Sequence, residues 1–366
     1  MKTSRRGFLV TSAAAAVSMG FAGAPEKARD PMRILILGGT GFLGPHQVEY
    51  ARRRGHKITL FNRGKTAPDL FPDLEQLHGD RDNDLESLKG RSWDVVIDNS
   101  ASIPRWVRQS AQLLSGAAER YLFVSSLSVF SDNSIIGMTE SAPVGKLDDP
   151  TVEKVTGETY GPLKALCEAE AEKAFPGRAL VIRPGLIVGP RDRSDRFTYW
   201  PVRIDRGGEV MAPGSPADPV QIVDVRDLAG WMIDMLERRG TGVYNATGPK
   251  APLSMSEMLY GIRAVTSAEV SFTWVPADFL EKQKVRPWSD MPVWVPSTPE
   301  TAGFSRFDCS RAFAAGLSFR PLAVTARDTL DWFLTLPRER REQLRAGISP
   351  EREREVLQAW KTRPGA

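Results

Sequence analysis

The sequence predicts a doubly wound α/β fold, a parallel sheet with helices on both faces, joined to a smaller lobe built from the C-terminal half. Three observations carry this. Short continuous apolar runs alternate with helical patterns from Met32 onward, the signature of strands buried on both faces of a parallel sheet. The first run ends in a glycine-rich turn followed by a helical stretch. After Pro184 the pattern loosens: Trp, Pro and Gly become frequent and long polar connections occupy 191–218 and 267–303, which predicts an irregular second lobe.

The elements follow in order. Residues 1–24 place Arg5 and Arg6 ahead of an apolar, Ala-rich run that ends in Ala22-Gly23-Ala24. That is the layout of a twin-arginine export signal, and it predicts a periplasmic or extracellular location. Residues 25–31 read as a linker, 32–190 mainly as a nucleotide-binding domain, and 191–366 mainly as a substrate lobe with C-terminal helices, some segments returning to the first domain. Strands are expected at 33–37, 57–61, 93–98, 120–125 and 179–183. Ser349-Pro350-Glu351 reads as a cap, a first-turn proline and an acidic second position, opening a last helix through about Trp360 with a solvated Arg/Glu face.

Composition excludes other classes. The 366 residues are 41% hydrophobic and 26% charged, ordinary for a globular enzyme. Past the N-terminus no apolar run is long enough to cross a membrane. Two cysteines and three histidines without ligand spacing predict no metal site. The formal charge is +4, and without residues 1–24 it becomes 46 basic against 45 acidic groups, which gives no electrostatic footprint for nucleic acid.

The turn after the first strand reads Gly38-Gly39-Thr40-Gly41-Phe42-Leu43-Gly44. Glycines at 38, 41 and 44 suit a tight bend, backbone approach to a pyrophosphate, and close packing of helix on sheet. The helix N-terminus beyond adds a positive dipole end. Where the second strand ends, an acid would bind the ribose of NAD; the chain has Asn62-Arg63 instead, which favours the 2′-phosphate of NADP over NAD. Asp80, at the end of a third strand, is placed to accept from the adenine amine.

Tyr160 and Lys164 form a Y-x-x-x-K pair. Residues four apart share a helix face, and an ammonium beside a phenol favours phenolate, a usable general base. Pro162 confines Tyr160 to the helix start. Ser126 ends the preceding strand, where its hydroxyl can bond the same substrate oxygen.

These residues, with Val124-Ser125-Ser126, Ile182-Arg183-Pro184-Gly185, Val223-Asp224-Val225-Arg226-Asp227 and Tyr244-Asn245-Ala246-Thr247-Gly248, make the chain resemble the extended short-chain dehydrogenases/reductases of the epimerase/dehydratase type, over about 33–332. The resemblance implies a Rossmann-type domain, a catalytic triad of Ser126, Tyr160 and Lys164, and cofactor contacts from Gly38, Thr40, Gly41, Phe42, Leu43, Gly44, Asn62, Arg63, Asp80, Lys164 and Pro184. It also implies a homodimer formed through two helices per chain. Two positions depart from the pattern. The stretch 217–224 lacks the arginine that clasps a nucleotide phosphate in sugar-nucleotide members, and Phe130 replaces a frequent tyrosine.

The aromatic and basic segment 196–203 offers Tyr199 or Trp200 to stack on a sugar and Arg203 to bind an acidic group, against a reading as ordinary lobe packing that also covers Trp288 and Trp294. Cys167 reads as packing. The expected partner is a small molecule, with no nucleic acid and no membrane after signal cleavage. Export and a scarce external cofactor together favour a redox-neutral epimerase or dehydratase that retains NADP or NAD. The alternatives are a cofactor-exchanging carbonyl reductase or alcohol dehydrogenase, and a non-catalytic binding member of the family.

Overall fold

The computed structural model describes residues 27–28, 30–99 and 101–364; the export signal expected at 1–24 lies outside them. Among the described residues, twelve strands run β1 Arg33–Leu37, β2 Lys57–Asn62, β3 Glu75–His78, β4 Trp93–Asp98, β5 Ala118–Val124, β6 Ala179–Pro184, β7 Leu186–Val188, β8 Gly208–Pro213, β9 Pro219–Asp224, β10 Gly242–Ala246, β11 Gly248–Ser254 and β12 Val270–Val275. The helices are α1 Leu43–Arg54, α2 Pro104–Leu114, α3 Tyr160–Ala174, α4 Tyr199–Asp205, α5 Val225–Glu237, α6 Met255–Arg263, α7 Ala277–Lys282, α8 Ser310–Ala314, α9 Leu322–Leu334, α10 Arg338–Arg341 and α11 Pro350–Lys361.

Seven strands pair in the order β10-β6-β5-β4-β1-β2-β3, all in parallel. The alternation inside each strand explains the two covering layers. Ile34, Ile36, Val95, Ile97, Leu122 and Val124 face one side, with Val48 of α1 and Leu228, Met232 and Leu236 of α5. Leu35, Leu37, Val96, Tyr121 and Phe123 face the other, with Val107 and Ala111 of α2 and Cys167 and Ala171 of α3. Cys167 is therefore packing. The chain leaves β1 toward β2 on one side and takes up β4 on the other. This reversal opens a crevice at the carboxyl ends of β1 and β4, where doubly wound sheets bind ligands.

The second lobe carries a three-stranded sheet, β11-β9-β7, and a parallel pair, β12-β8. Its own core gathers Phe197, Tyr199, Trp200, Met211, Ile222, Met258, Trp294, Val356 and Leu357. The last helix starts as its sequence predicts: the Ser349 side chain accepts from the Arg352 N–H, with Pro350 in the first turn. Its charged face is not wholly solvated, however. Glu353 is 3% exposed and accepts from Arg203 Nε at 2.6 Å and from the Met211 N–H at 2.9 Å, which fastens α11 to the lobe.

Candidate active site

The cleft lies between the sheet's carboxyl ends and the lobe, with a volume of about 1110 Å³. Phe42, Asn99, Ser126, Tyr160, Lys164 and Pro184 line it from the first domain; Arg196, Gln221, Trp288 and Phe304 line it from the lobe.

Tyr160 opens α3, and its position depends on a contact that motif reading does not expose. A Cβ on Gly161 would stand 2.0 Å from the Ser128 carbonyl oxygen. Only glycine lets the start of α3 press against the short turn Leu127–Val129, which Ser126 caps by accepting from the Ser128 N–H at 3.1 Å. Tyr160 and Ser126 thereby meet on one wall of the cleft. Burial raises the Tyr160 pKa, while contact with the Ser126 hydroxyl and the charge of Arg196 draw it back down.

Lys164 lies one turn deeper. The sequence expects its ammonium to favour the Tyr160 phenolate; in the structure the Ser126 hydroxyl and then the Arg196 charge act in that direction. The Lys164 Nζ is committed elsewhere, donating to the Ala101 carbonyl at 2.8 Å and the Val124 carbonyl at 2.6 Å and standing 4.2 Å from the Phe123 ring centroid. A buried ammonium needs such partners, and the end of β5 and the loop after β4 supply them. Even so, burial pushes its pKa down to about 8. Glu168, a further four residues along, accepts from Ser125 Oγ and from Arg183 at 2.9 and 2.7 Å, tying α3 to the ends of β5 and β6. Glu168 shares the four-residue spacing of Tyr160 and Lys164, the signal that would have found it.

The glycine turn suits a dinucleotide. Gly38 has φ 87°. A Cβ on Gly44 would lie 2.5 Å from backbone of Gly39, so α1 sits directly on the turn. A Cβ on Gly41 would meet nothing nearer than 3.9 Å, so its outer side is open. α1 has no side-chain cap at Phe42 and no acid in its first turn, leaving N–H donors and a positive dipole end for an anion. The residues present therefore fit the pyrophosphate of a nicotinamide dinucleotide.

Of the expected nucleotide contacts, Phe42, Lys164 and Pro184 line the cleft itself; Gly38, Thr40 and Gly41 form the turn beside it, and Leu43 and Gly44 open α1. At the end of β2, the Asn62 side chain shapes the loop, accepting from the Gly64 N–H at 2.8 Å and donating to Gln76 at 2.9 Å. Arg63 is 3.9 Å from Asp80, both well exposed. Asp80 lies beyond β3, bridged to Asp84.

The expected substrate contacts are corrected. Tyr199 and Trp200 are 2% and 0% exposed inside the lobe core, and Trp200 donates to the Pro292 carbonyl at 2.7 Å. Arg203 is engaged by Glu353 and by the carbonyls of Gly207 and Glu209. None of the three lines the cleft, because α4 turns this face inward to cover the lobe's apolar interior. Trp294 is buried and donates to Asp218, whereas Trp288 does line the cleft. Gln221, in the stretch that lacks the phosphate-clasping arginine, spends both ends of its amide on the Phe307 backbone. Among the described residues no group of three or more His, Cys, Asp or Glu is placed to hold a metal, and no helix is long and apolar enough to cross a membrane.

A doubly wound sheet with a glycine turn at its switch point, a serine beyond a neighbouring strand end and a tyrosine and lysine on the helix packed beside it, defines a nicotinamide-dinucleotide enzyme of the extended dehydrogenase class. The chain belongs to the NAD dependent epimerase/dehydratase family, whose model matches residues 34–247. Among curated proteins it is 25% identical over 248 residues to the chloroplast stem-loop binding protein of 41 kDa b from Arabidopsis thaliana, covering 60% of this chain and 59% of that protein. Among solved structures it is similar to the human epimerase family protein SDR39U1 (isoform 2) with NADPH, with TM-score 0.56 and 21% identity over 82% of this chain and 99% of that one. It is also similar to the Bordetella bronchiseptica enzyme WbmH in complex with NAD+, with TM-score 0.61 and 17% identity over 83% and 99%.

Proposed function

We propose that this enzyme is a redox-neutral epimerase or dehydratase acting on a hydroxyl-bearing, sugar-like small molecule, with NADP preferred over NAD and held throughout turnover. The observation that carries the reading is the meeting of Ser126 and Tyr160 on one wall of a cleft that reaches the glycine turn. When bound, the nicotinamide supplies a two-electron acceptor that takes a hydride from the substrate carbinol and later returns it. Ser126 holds the substrate oxygen. Tyr160, through the phenolate form that the Ser126 hydroxyl and the Arg196 charge favour against burial, accepts the hydroxyl proton as the carbonyl forms and gives it back when the carbonyl is reduced, so protons and electrons both balance over a cycle. Lys164 is anchored on two carbonyls beneath them and fixes the floor of the site. Arg63, with no acid at the end of β2, supports NADP through a charge-assisted contact to the 2′-phosphate.

The N-terminal sequence supports export of the folded protein, and a retained cofactor suits a compartment without a nucleotide pool. The stem-loop name of the Arabidopsis relative prompts comparison with nucleic-acid binding. A body with 46 basic against 45 acidic groups favours the small-molecule reading.

The test uses protein purified from the exported fraction. Close to one nucleotide per chain is expected after dialysis, and a panel of sugars and sugar acids should include one that raises a reduced-nicotinamide absorbance band without added cofactor. Tyr160→Phe should retain the nucleotide and slow that reduction by roughly 100-fold or more. Empty exported protein that consumes added cofactor mole for mole would establish the cofactor-exchanging alternative instead.

A further inference from the structure

Several arginines of the second lobe are held in ion pairs. Arg203 pairs with Glu353, Arg226 with Asp224 and Asp328, and Arg340 with Asp195. Arg196 differs. It lines the cleft and is partly buried, yet no carboxylate among the described residues comes within 4 Å of it. Its Nε donates to Ser194 Oγ at 3.2 Å, and its guanidinium carbon lies 5.4 Å from the centroid of the Trp288 ring. These contacts position the group and leave its two terminal amines without a partner among the described residues.

A partly buried guanidinium whose facing carboxylate, Asp192, lies beyond ion-pair distance carries a desolvation cost that a bound anion offsets. Its surroundings indicate which anion. Arg196 and Tyr160 line the same cleft, near enough for the Arg196 charge to act on the phenol, so the anion would sit on the same substrate as the reacting hydroxyl. Asp192 also lines the cleft and interacts with Arg196, so a dianion would stand against a carboxylate. The other lysines of the cleft offer no second cation at depth: Lys164 is committed to two carbonyls and Lys146 is exposed. A single planar fork matches a single carboxylate.

We propose that Arg196, held on Trp288 and Ser194, is the receptor for a substrate carboxylate, so that the substrate is a hydroxyl-bearing acid of the sugar-acid class. This rests on the functional reading above for the location of the reacting hydroxyl. It places the anion-binding role in the lobe segment that the sequence singled out, seven residues before the Arg203 expected there.

Calorimetric titration of the nucleotide-loaded full chain tests it, with D-glucuronate, D-galacturonate, D-glucose, D-galactose and D-glucose 6-phosphate as probes at fixed ionic strength. At least one sugar acid is expected to bind ten-fold or more tightly than its neutral parent. Arg196→Gln should erase that preference while leaving the nucleotide bound. Arg196→Lys, which keeps the charge but loses the fork, should reduce it several-fold and guards against misfolding of the first variant. Equal binding of acids and neutral parents, a preference undiminished in both variants, or tighter binding of glucose 6-phosphate than of either acid would overturn the proposal. A preference that needs Arg196 but never produces reduced nicotinamide would uphold the receptor and defeat the functional reading; reduction by neutral sugars alone would do the reverse.

Discussion

Lys164→Met should change how the stability of this protein depends on pH. In the folded chain Lys164 is 3% exposed, and burial lowers its pKa from 10.5 to about 8. At about 1.4 kcal/mol per unit, the charged form is disfavoured by roughly 3 kcal/mol relative to the unfolded chain. Because the folded pKa is the lower one, the unfolded state binds more protons between pH 8 and 10.5, and stability rises with pH across that window. Below pH 8 the unfavourable contribution is complete and constant; above 10.5 it is gone. Methionine carries no proton in either state. Urea unfolding of wild type and variant from pH 7.5 to 10.5 therefore yields a difference that should move by about 3 kcal/mol in favour of the wild type as pH rises. Cys167 is pushed up to about 12 by burial and drawn down by the Lys164 charge; loss of that charge moves it further up, so the folded thiol stays protonated across this window in both proteins and its contribution is nearly common to them. A difference that is flat, or that moves the other way, would refute the account of Lys164 as a buried ammonium held on two carbonyls.

Two further outcomes concern the nucleotide. Gly41→Val should leave the urea midpoint nearly unchanged, since a side chain there meets open space, yet abolish NADPH binding by fluorescence titration; Gly44→Ala should lower the midpoint, since its Cβ would be 2.5 Å from Gly39 backbone. The opposite ranking would show that the turn does not face the ligand. Arg63→Ala should weaken NADP more than NAD, by about 1.5–3 kcal/mol for one charge-assisted bond, and equal weakening of the two would remove Arg63 from the 2′-phosphate.

Some of this molecule follows from its sequence alone. The strands at 33–37 and 93–98, the glycine turn, the start of α3 at Tyr160 and the start of the last helix at Pro350 were all legible. Each is governed by local rules: period, turn sterics, the missing N–H of proline, a capping hydroxyl. The site was legible where its residues lie at strand ends and helix starts, which the fold brings together. What the tertiary structure alone decided was which polar and aromatic side chains face the cleft. Within one short segment Arg196 lines the cleft, while Tyr199, Trp200 and Arg203 are turned into the lobe. The partner that claims Arg203 is Glu353, 150 residues further on in a helix whose charges read as a solvated face. The carbonyls that hold the Lys164 ammonium, from Ala101 and Val124, are likewise 63 and 40 residues away in the chain. A backbone element is set by its neighbours in the chain, whereas a buried charge or ring is set by whatever segment the fold lays against it.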